Sequence, residues 1–175
     1  MQEIIQQKLE KPEWLKIKLT ANDNFINIKS TLKQYELHTV CESAHCPNIS
    51  ECWSTGTATF MLMGDTCTRA CKFCAVKTGN PMKQIDKGEP KNLAKALTEI
   101  KLFDYVVLTS VNRDDLEDGG AEHFAECIKE IKKEYPKIIV EVLIPDFRGD
   151  ISALRKIVTA KPEVIAHNIE TVERL

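Results

Sequence analysis

From residue 59 onward the apolar positions fall into two alternating patterns. Thr59-Phe60-Met61-Leu62-Met63-Gly64 is a short apolar run closed by glycine, and Tyr105-Val106-Val107-Leu108-Thr109-Ser110 is a nearly continuous run of the buried-strand kind. A third run, Ile138 to Ile144, stops at Pro145, and a fourth covers Glu163 to Ile169. Between them the spacing turns helical. Leu93, Leu97 and Ile100 share a face within residues 91–102; Phe124, Ile128, Ile131 and Tyr135 share another after the turn at Asp118-Gly119-Gly120. A further helix is predicted from Ile151, with Asp150 as its N-cap and Ile151, Leu154 and Val158 together on one face. Strand and helix therefore alternate, which predicts an α/β fold with a parallel sheet of about four strands and right-handed crossovers. Three helices can cover one face of that sheet; the other is the inside of a barrel or a second helical layer. The first forty residues show no sustained period and read as an extension that lays Trp14 on a neighbouring surface. Residues 41–58, rich in Cys, Ser, Asn, Pro and Gly, read as an irregular loop, and residues 65–90 as a long polar connection. The series stops just after its fourth strand, so the chain is expected to be a fragment.

Composition sharpens this only in part. The 175 residues suit one domain, and 43% hydrophobic with 29% charged residues excludes wholesale disorder. A net charge of −2 gives no general attraction to nucleic acid or to an anionic membrane, and the apolar runs are too short for a membrane span. The cysteines change the picture more. Six of the seven lie between Cys41 and Cys74. Their total is odd, and Met1 to Gln7 has neither the basic start nor the apolar core of a secretory leader. A reducing, cytoplasmic setting is expected, in which such a cluster points to metal or redox chemistry rather than to disulfides.

Cys67-Thr68-Arg69-Ala70-Cys71-Lys72-Phe73-Cys74 is C-x3-C-x2-C, placed in the connection after the first strand. Thiolates this close can converge on one group, and soft sulfur suits iron–sulfur clusters or zinc. A fourth cysteine does not follow nearby. A four-iron cluster held by three cysteines keeps one iron open to a small chelating molecule, whereas a structural zinc site takes four protein ligands. Spacing, position and the aromatic Phe73 before the third cysteine together resemble the radical S-adenosylmethionine (radical SAM) superfamily. Upstream, Cys41, Cys46 and Cys52 form C-x4-C-x5-C, three further thiolates without a local fourth. That pairing of motifs resembles the lipoyl synthase family. So do the stretches Lys11-Pro12-Glu13-Trp14-Leu15, Ala58-Thr59-Phe60-Met61, Thr109 to Leu116, Asp118-Gly119-Gly120-Ala121, Val142 to Phe147 and His167 to Val172.

The resemblance implies radical-mediated insertion of two sulfur atoms, at carbons 6 and 8 of a protein-bound octanoyl group. It implies two 4Fe-4S clusters: a reducing one on Cys67, Cys71 and Cys74 that binds S-adenosyl-L-methionine, and an auxiliary one on Cys41, Cys46 and Cys52 that is the sulfur donor. The partners it implies are an octanoylated lipoyl carrier domain and a low-potential electron donor of ferredoxin or flavodoxin type. The fold it implies is a partial radical SAM (β/α) barrel over residues 59–175, preceded by an extension with the auxiliary cysteines over residues 1–58. Family members carry six βα units and a C-terminal serine motif that supplies the auxiliary cluster's fourth ligand. Neither is complete in this chain, which again predicts a truncated one.

Other residues have weaker signals. Thr109, Ser110 and Asn112 stand at the C-terminal end of a strand, where parallel barrels place their sites, and with Phe73 and Glu170 they are the candidate cofactor contacts; ordinary turn capping is the rival for the first three, and the start of the next helix is the rival for Glu170. Arg113 with Asp114 and Asp115 suits a structural ion pair. Cys127, set among Phe124, Ile128 and Ile131, reads as a buried inert thiol. His38, His123 and His167 read as structural, and His45 as a neighbour of ligands. Residues 65–91 hold six basic and three acidic side chains, a solvated face or a docking surface for an acidic partner. Two rivals to the family reading are another radical SAM enzyme with an auxiliary cluster, such as a methylthiotransferase, and a non-enzymatic zinc-binding module sharing ligands with His45.

Overall fold

The structure is a computed structural model, which describes residues 12, 22–82, 84–170, 172 and 174. The chain runs α1 (Asp23–Gln34), β1 (His38–Thr39), α2 (Val40–Ser43), α3 (Ile49–Ser54), β2 (Thr59–Leu62), β3 (Thr66–Cys67), β4 (Lys77–Thr78), α4 (Glu89–Ile100), β5 (Tyr105–Ser110), α5 (Ala121–Glu134), β6 (Ile139–Leu143), a 3-10 turn (Phe147–Gly149), α6 (Ile151–Ala160) and β7 (Val164–Ala166). The main sheet has the order β1-β2-β5-β6-β7. β2, β5, β6 and β7 are parallel, with Phe60 beside Leu108, Leu108 beside Val142 and Val142 beside Ile165; β1 is antiparallel on the β2 edge. The four parallel strands are those expected from the apolar runs. Strands taken in sequence order with crossovers of one hand must place α4, α5 and α6 on the same face, and α5 packs between α4 and α6.

The helices form where side-chain periodicity and end signals agree. α4 opens with Pro90 in its first turn, buries Leu93, Leu97 and Ile100, and closes at Lys101 in the left-handed region. α5 buries Phe124, Ile128 and Ile131 and ends before Pro136. Gly120 precedes it with φ +85°; a Cβ there would stand 2.2 Å from Met63 Sδ, so only glycine lets the helix start press on the end of β2. Beneath these helices β5 and β6 bury one side only. Val106 and Leu108 of β5 and Val140 and Val142 of β6 are fully buried, while Val107, Thr109 and Leu143 are half-buried. The expectation of nearly continuous burial along residues 105–110 is corrected to alternation, because the opposite face of the sheet borders a cleft.

Three other expectations change. Residues 23–34, read as aperiodic, form a helix: Asn22 Oδ1 accepts from the Phe25 N–H at 3.0 Å, and a narrow stripe of Ile28, Thr31 and Leu32 is buried. Residues 41–58 are partly ordered as α2 and α3 rather than an irregular loop. In α6, Asp150 is the N-cap, its Oδ1 2.7 Å from the Ser152 N–H, but the buried face is Ala153, Ile157 and Ala160; Ile151 and Val158 are exposed. Small alanines let α6 lie close against α5, and that contact selects the face. The strap residue Trp14 lies outside the described residues. No described helix is long and apolar enough to cross a membrane.

Candidate functional site

The connection from β2 to α4 carries the second cysteine triad across the C-terminal ends of the parallel strands. β3 and β4, two residues each, close this segment on itself with Cys67 in register with Thr78. The Gly79 N–H donates to the Cys67 carbonyl at 2.9 Å, and the Cys74 N–H donates to the Cys71 carbonyl at 3.0 Å. Cys67 is half-buried, whereas Cys71, Cys74 and Phe73 are exposed, Phe73 by 72%. The Arg69 N–H donates to Cys67 Sγ at 3.4 Å.

These three thiols and Phe73 line a cleft of about 280 Å³ together with Thr109, Ser110, Asn112 and Glu170. Residues predicted from separate motifs thus meet at one place, since parallel strands deliver their C-terminal ends to a common rim. A second lobe of about 230 Å³ continues past Ser110 and Asn112 to Asp146, His167 and Glu170. His167 is anchored by Nδ1 against the Ile144 carbonyl at 2.9 Å, and the Thr109 hydroxyl donates to the Leu143 carbonyl at 3.0 Å. Ser110 Oγ is buried and has no hydrogen-bond partner. An unpaired hydroxyl costs free energy, so its place on the cleft fits a polar ligand there.

The first triad is assembled differently. Thr39 caps α2, its Oγ1 accepting from the Glu42 N–H at 3.2 Å, and the Cys46 N–H donates to the Cys41 carbonyl at 3.0 Å. Burial, then the neighbouring Cys41 and Cys46, push the Cys52 thiol up from its ordinary value. Cys41, His45 and Cys46 border a cavity of about 400 Å³ with Phe25, Lys29 and Trp53.

Among the described residues, the only three metal-capable side chains with ligand atoms all within 4.8 Å of one another are Glu89, His123 and Cys127. Neither cysteine triad brings its three sulfurs within that distance of one another. The Glu89–His123–Cys127 group is not an ion site. His123 Nε2 and Glu89 Oε2 are 2.6 Å apart, room for a shared proton and not for a metal, and burial pushes the Cys127 thiol well up. Both Glu89 oxygens also accept from the Met63 N–H, at 2.9 and 3.2 Å. This buried pair therefore holds the end of β2, where the chain turns into the second triad.

Comparison with known proteins gives two family matches. The radical SAM superfamily matches residues 61–175, the segment that holds the second triad and the cleft. The chain belongs to the radical SAM superfamily. Residues 2–46 match the N-terminal domain of lipoyl synthase of the radical SAM family. The chain is similar to the lipoyl synthase of Halorubrum lacusprofundi, 58% identical over 175 residues, covering 98% of this chain and 55% of that protein. It is also similar to the lipoyl synthases of Halobacterium salinarum (60% over 168 residues, 94% of this chain and 53% of that protein) and Myxococcus xanthus (56% over 165 residues, 94% and 55%). The chain spans about half the length of these curated relatives.

Within this radical SAM domain the ion pair predicted at Arg113 divides. Arg113, 1% exposed, grips Asp115 through Nε and Nη2, both at 2.8 Å, and donates from Nη1 to the Gln84 carbonyl at 2.8 Å. Asp114 instead faces Arg69, with Nε to Oδ2 at 2.8 Å. No local motif marks the Arg69–Asp146 contact or the Glu89–His123 pair. The one signal pointing to Arg69 was a single basic residue between two candidate ligands, and its partners are 45 and 77 residues away.

Proposed function

We propose that the chain is part of a lipoyl synthase, a radical SAM sulfurtransferase that inserts sulfur at carbons 6 and 8 of an octanoyl group on a carrier domain. The observation that carries this reading is the meeting of Cys67, Cys71 and Cys74 with Ser110, Asn112 and Glu170 in one cleft, in a chain 58% identical to a lipoyl synthase. Cys67, Cys71 and Cys74 would hold a 4Fe-4S cluster, and Cys41, Cys46 and Cys52 an auxiliary one; the sulfur-only donors, three free thiols in each group, support both assignments. When bound, the first of these groups supplies the electron that opens a carbon–sulfur bond of S-adenosyl-L-methionine, and the second supplies sulfur.

The protein's own part is to bind, orient and shield. Ser110 Oγ, buried and unpartnered, is a donor for the carboxylate of the methionine moiety. Glu170 would accept from a ribose hydroxyl, Phe73 offers an exposed aromatic face to the base, and Thr109 and Asn112 shape the rim. A carbon radical needs its sulfur donor already fixed nearby, which a resident auxiliary group supplies better than one that must diffuse to it. Residues 1–58 form the auxiliary unit and residues 59–175 a partial (β/α) barrel. The partners are the octanoylated carrier domain and a low-potential ferredoxin or flavodoxin, acting in the cytoplasm.

The test is anaerobic incubation of the reconstituted full-length protein of which this chain is part with an octanoylated lysine peptide, reductant and S-adenosyl-L-methionine. The expected product carries two added sulfur atoms by mass. A methylthiolated product, or bound zinc with no acid-labile sulfide, would overturn the reading.

A further inference from the structure

Arg69 stands between two cysteines of the second triad, and its guanidinium is held on both sides. Nε and Nη2 donate to Asp114 at 2.8 and 2.9 Å, and Nη1 and Nη2 donate to Asp146, both at 2.8 Å. Asp114 follows β5 and Asp146 follows β6, so one side chain ties the cysteine segment to two strand ends. Thr68 adds to the tie: its N–H donates to the Asn112 carbonyl at 3.0 Å, and its hydroxyl accepts from the Asp114 N–H at 3.1 Å. A planar fork bound on two edges fixes rotation as well as position, which a lysine cannot reproduce. Four of the five guanidinium N–H bonds are engaged, so Arg69 is a wall of the cleft rather than a ligand for a free anion.

We propose that Arg69 is a positioning residue whose clasp with Asp114 and Asp146 sets the second triad over the ends of β5 and β6. It thereby controls how tightly the cleft grips S-adenosyl-L-methionine without itself holding iron. This rests on the reading of the cleft given under Proposed function, but the clasp is also measurable without any cofactor.

The experiment compares wild type, Arg69→Lys, Asp146→Asn and the double variant. In the unloaded protein, amide exchange over residues 68–79 is expected to speed up about tenfold in Arg69→Lys, the scale of one lost charge-assisted hydrogen bond. In anaerobically reconstituted protein, bound iron is expected to stay at the wild-type level, while affinity for S-adenosyl-L-methionine, read from the paramagnetic signal of the reduced cluster, falls about tenfold. The double variant is expected to lose less than the product of the single losses, because both remove one unit. Wild-type exchange and affinity in Arg69→Lys would overturn the proposal. So would fully multiplicative losses, or iron lost in step with global unfolding. If the wild-type cluster ignored S-adenosyl-L-methionine, the reading of the cleft would fall, and the exchange arm would still decide the clasp.

Discussion

The first cysteine triad spans two short helices and the turn between them, the second helix pinned through Trp53, whereas the second triad lies on a two-residue strand and the loop after it, tied down by Thr68 and Arg69. Trp53 is fully buried and its ring is 5.2 Å from that of Phe25 on α1; Asn24 Nδ2 adds a bond to the Ser54 carbonyl at 3.0 Å. Around the second triad Cys71, Phe73 and Cys74 are exposed, and what fixes the segment is directional: hydrogen bonds and a doubly held guanidinium. Apolar burial is strong but has no preferred direction, so it secures a platform. Charge-assisted bonds add less free energy yet impose an orientation. The segment read as the site of bond cleavage is the one held by orientation.

Removing the apolar pin should break this contrast most visibly. Trp53→Ala is expected to cost about 3–5 kcal/mol of stability, measured as a lower urea midpoint with an unchanged slope. Exchange over residues 68–79 should then rise only as far as global unfolding requires. A selective loosening of residues 68–79 would show that the two supports are not separate.

A smaller effect is expected at the buried pair beneath the second support. His123→Ala removes the partner 2.6 Å from Glu89 and leaves a buried carboxylate that still accepts from the Met63 N–H. The expected cost is roughly 1–3 kcal/mol, with faster exchange at the Met63 amide, and Glu89→Gln should cost less because an acceptor remains. Equal costs for both would mean that packing, not the hydrogen bond, is what matters there.

Acid should give the smallest effect, and it should separate the regions. The Arg69 guanidinium, helped by the Arg148 N–H, holds the Asp146 carboxyl down at about 2, against an ordinary 3.8. Arg69 also holds Asp114 low. A folded-state value below the unfolded one stabilises fully above about pH 4, and that contribution is lost as pH falls toward 2. Residues 68–79 should therefore lose exchange protection in that window before residues 40–54 do. The effect is modest because Asp146 is about half exposed and solvent screens the pair. Simultaneous loss in both regions would contradict a polar support confined to the second triad.

Much of this was legible in the chain. The four parallel strands, the three crossover helices and the Asp150 cap follow from local periodicity, and the six cysteines and the five cleft residues were marked by spacing or by position at a strand end. What could not be read there shares one cause. The Arg69 clasp, the Glu89–His123 pair and the buried face of α6 depend on partners 34 to 77 residues distant or on which neighbour packs, and no local pattern encodes those. Helix α1 is a different case. Asn22 and the Ile28–Leu32 spacing were visible, but its buried stripe is too narrow to stand out from a polar background.

The account is tested most directly by electron paramagnetic resonance of the anaerobically reconstituted, reduced protein before and after S-adenosyl-L-methionine is added. The wild type and a Cys41→Ala/Cys46→Ala/Cys52→Ala variant are both expected to show a shifted signal, and a Cys67→Ala/Cys71→Ala/Cys74→Ala variant none. A shift that survives in the last protein, or is missing from the first, would contradict the assignment of the cleft.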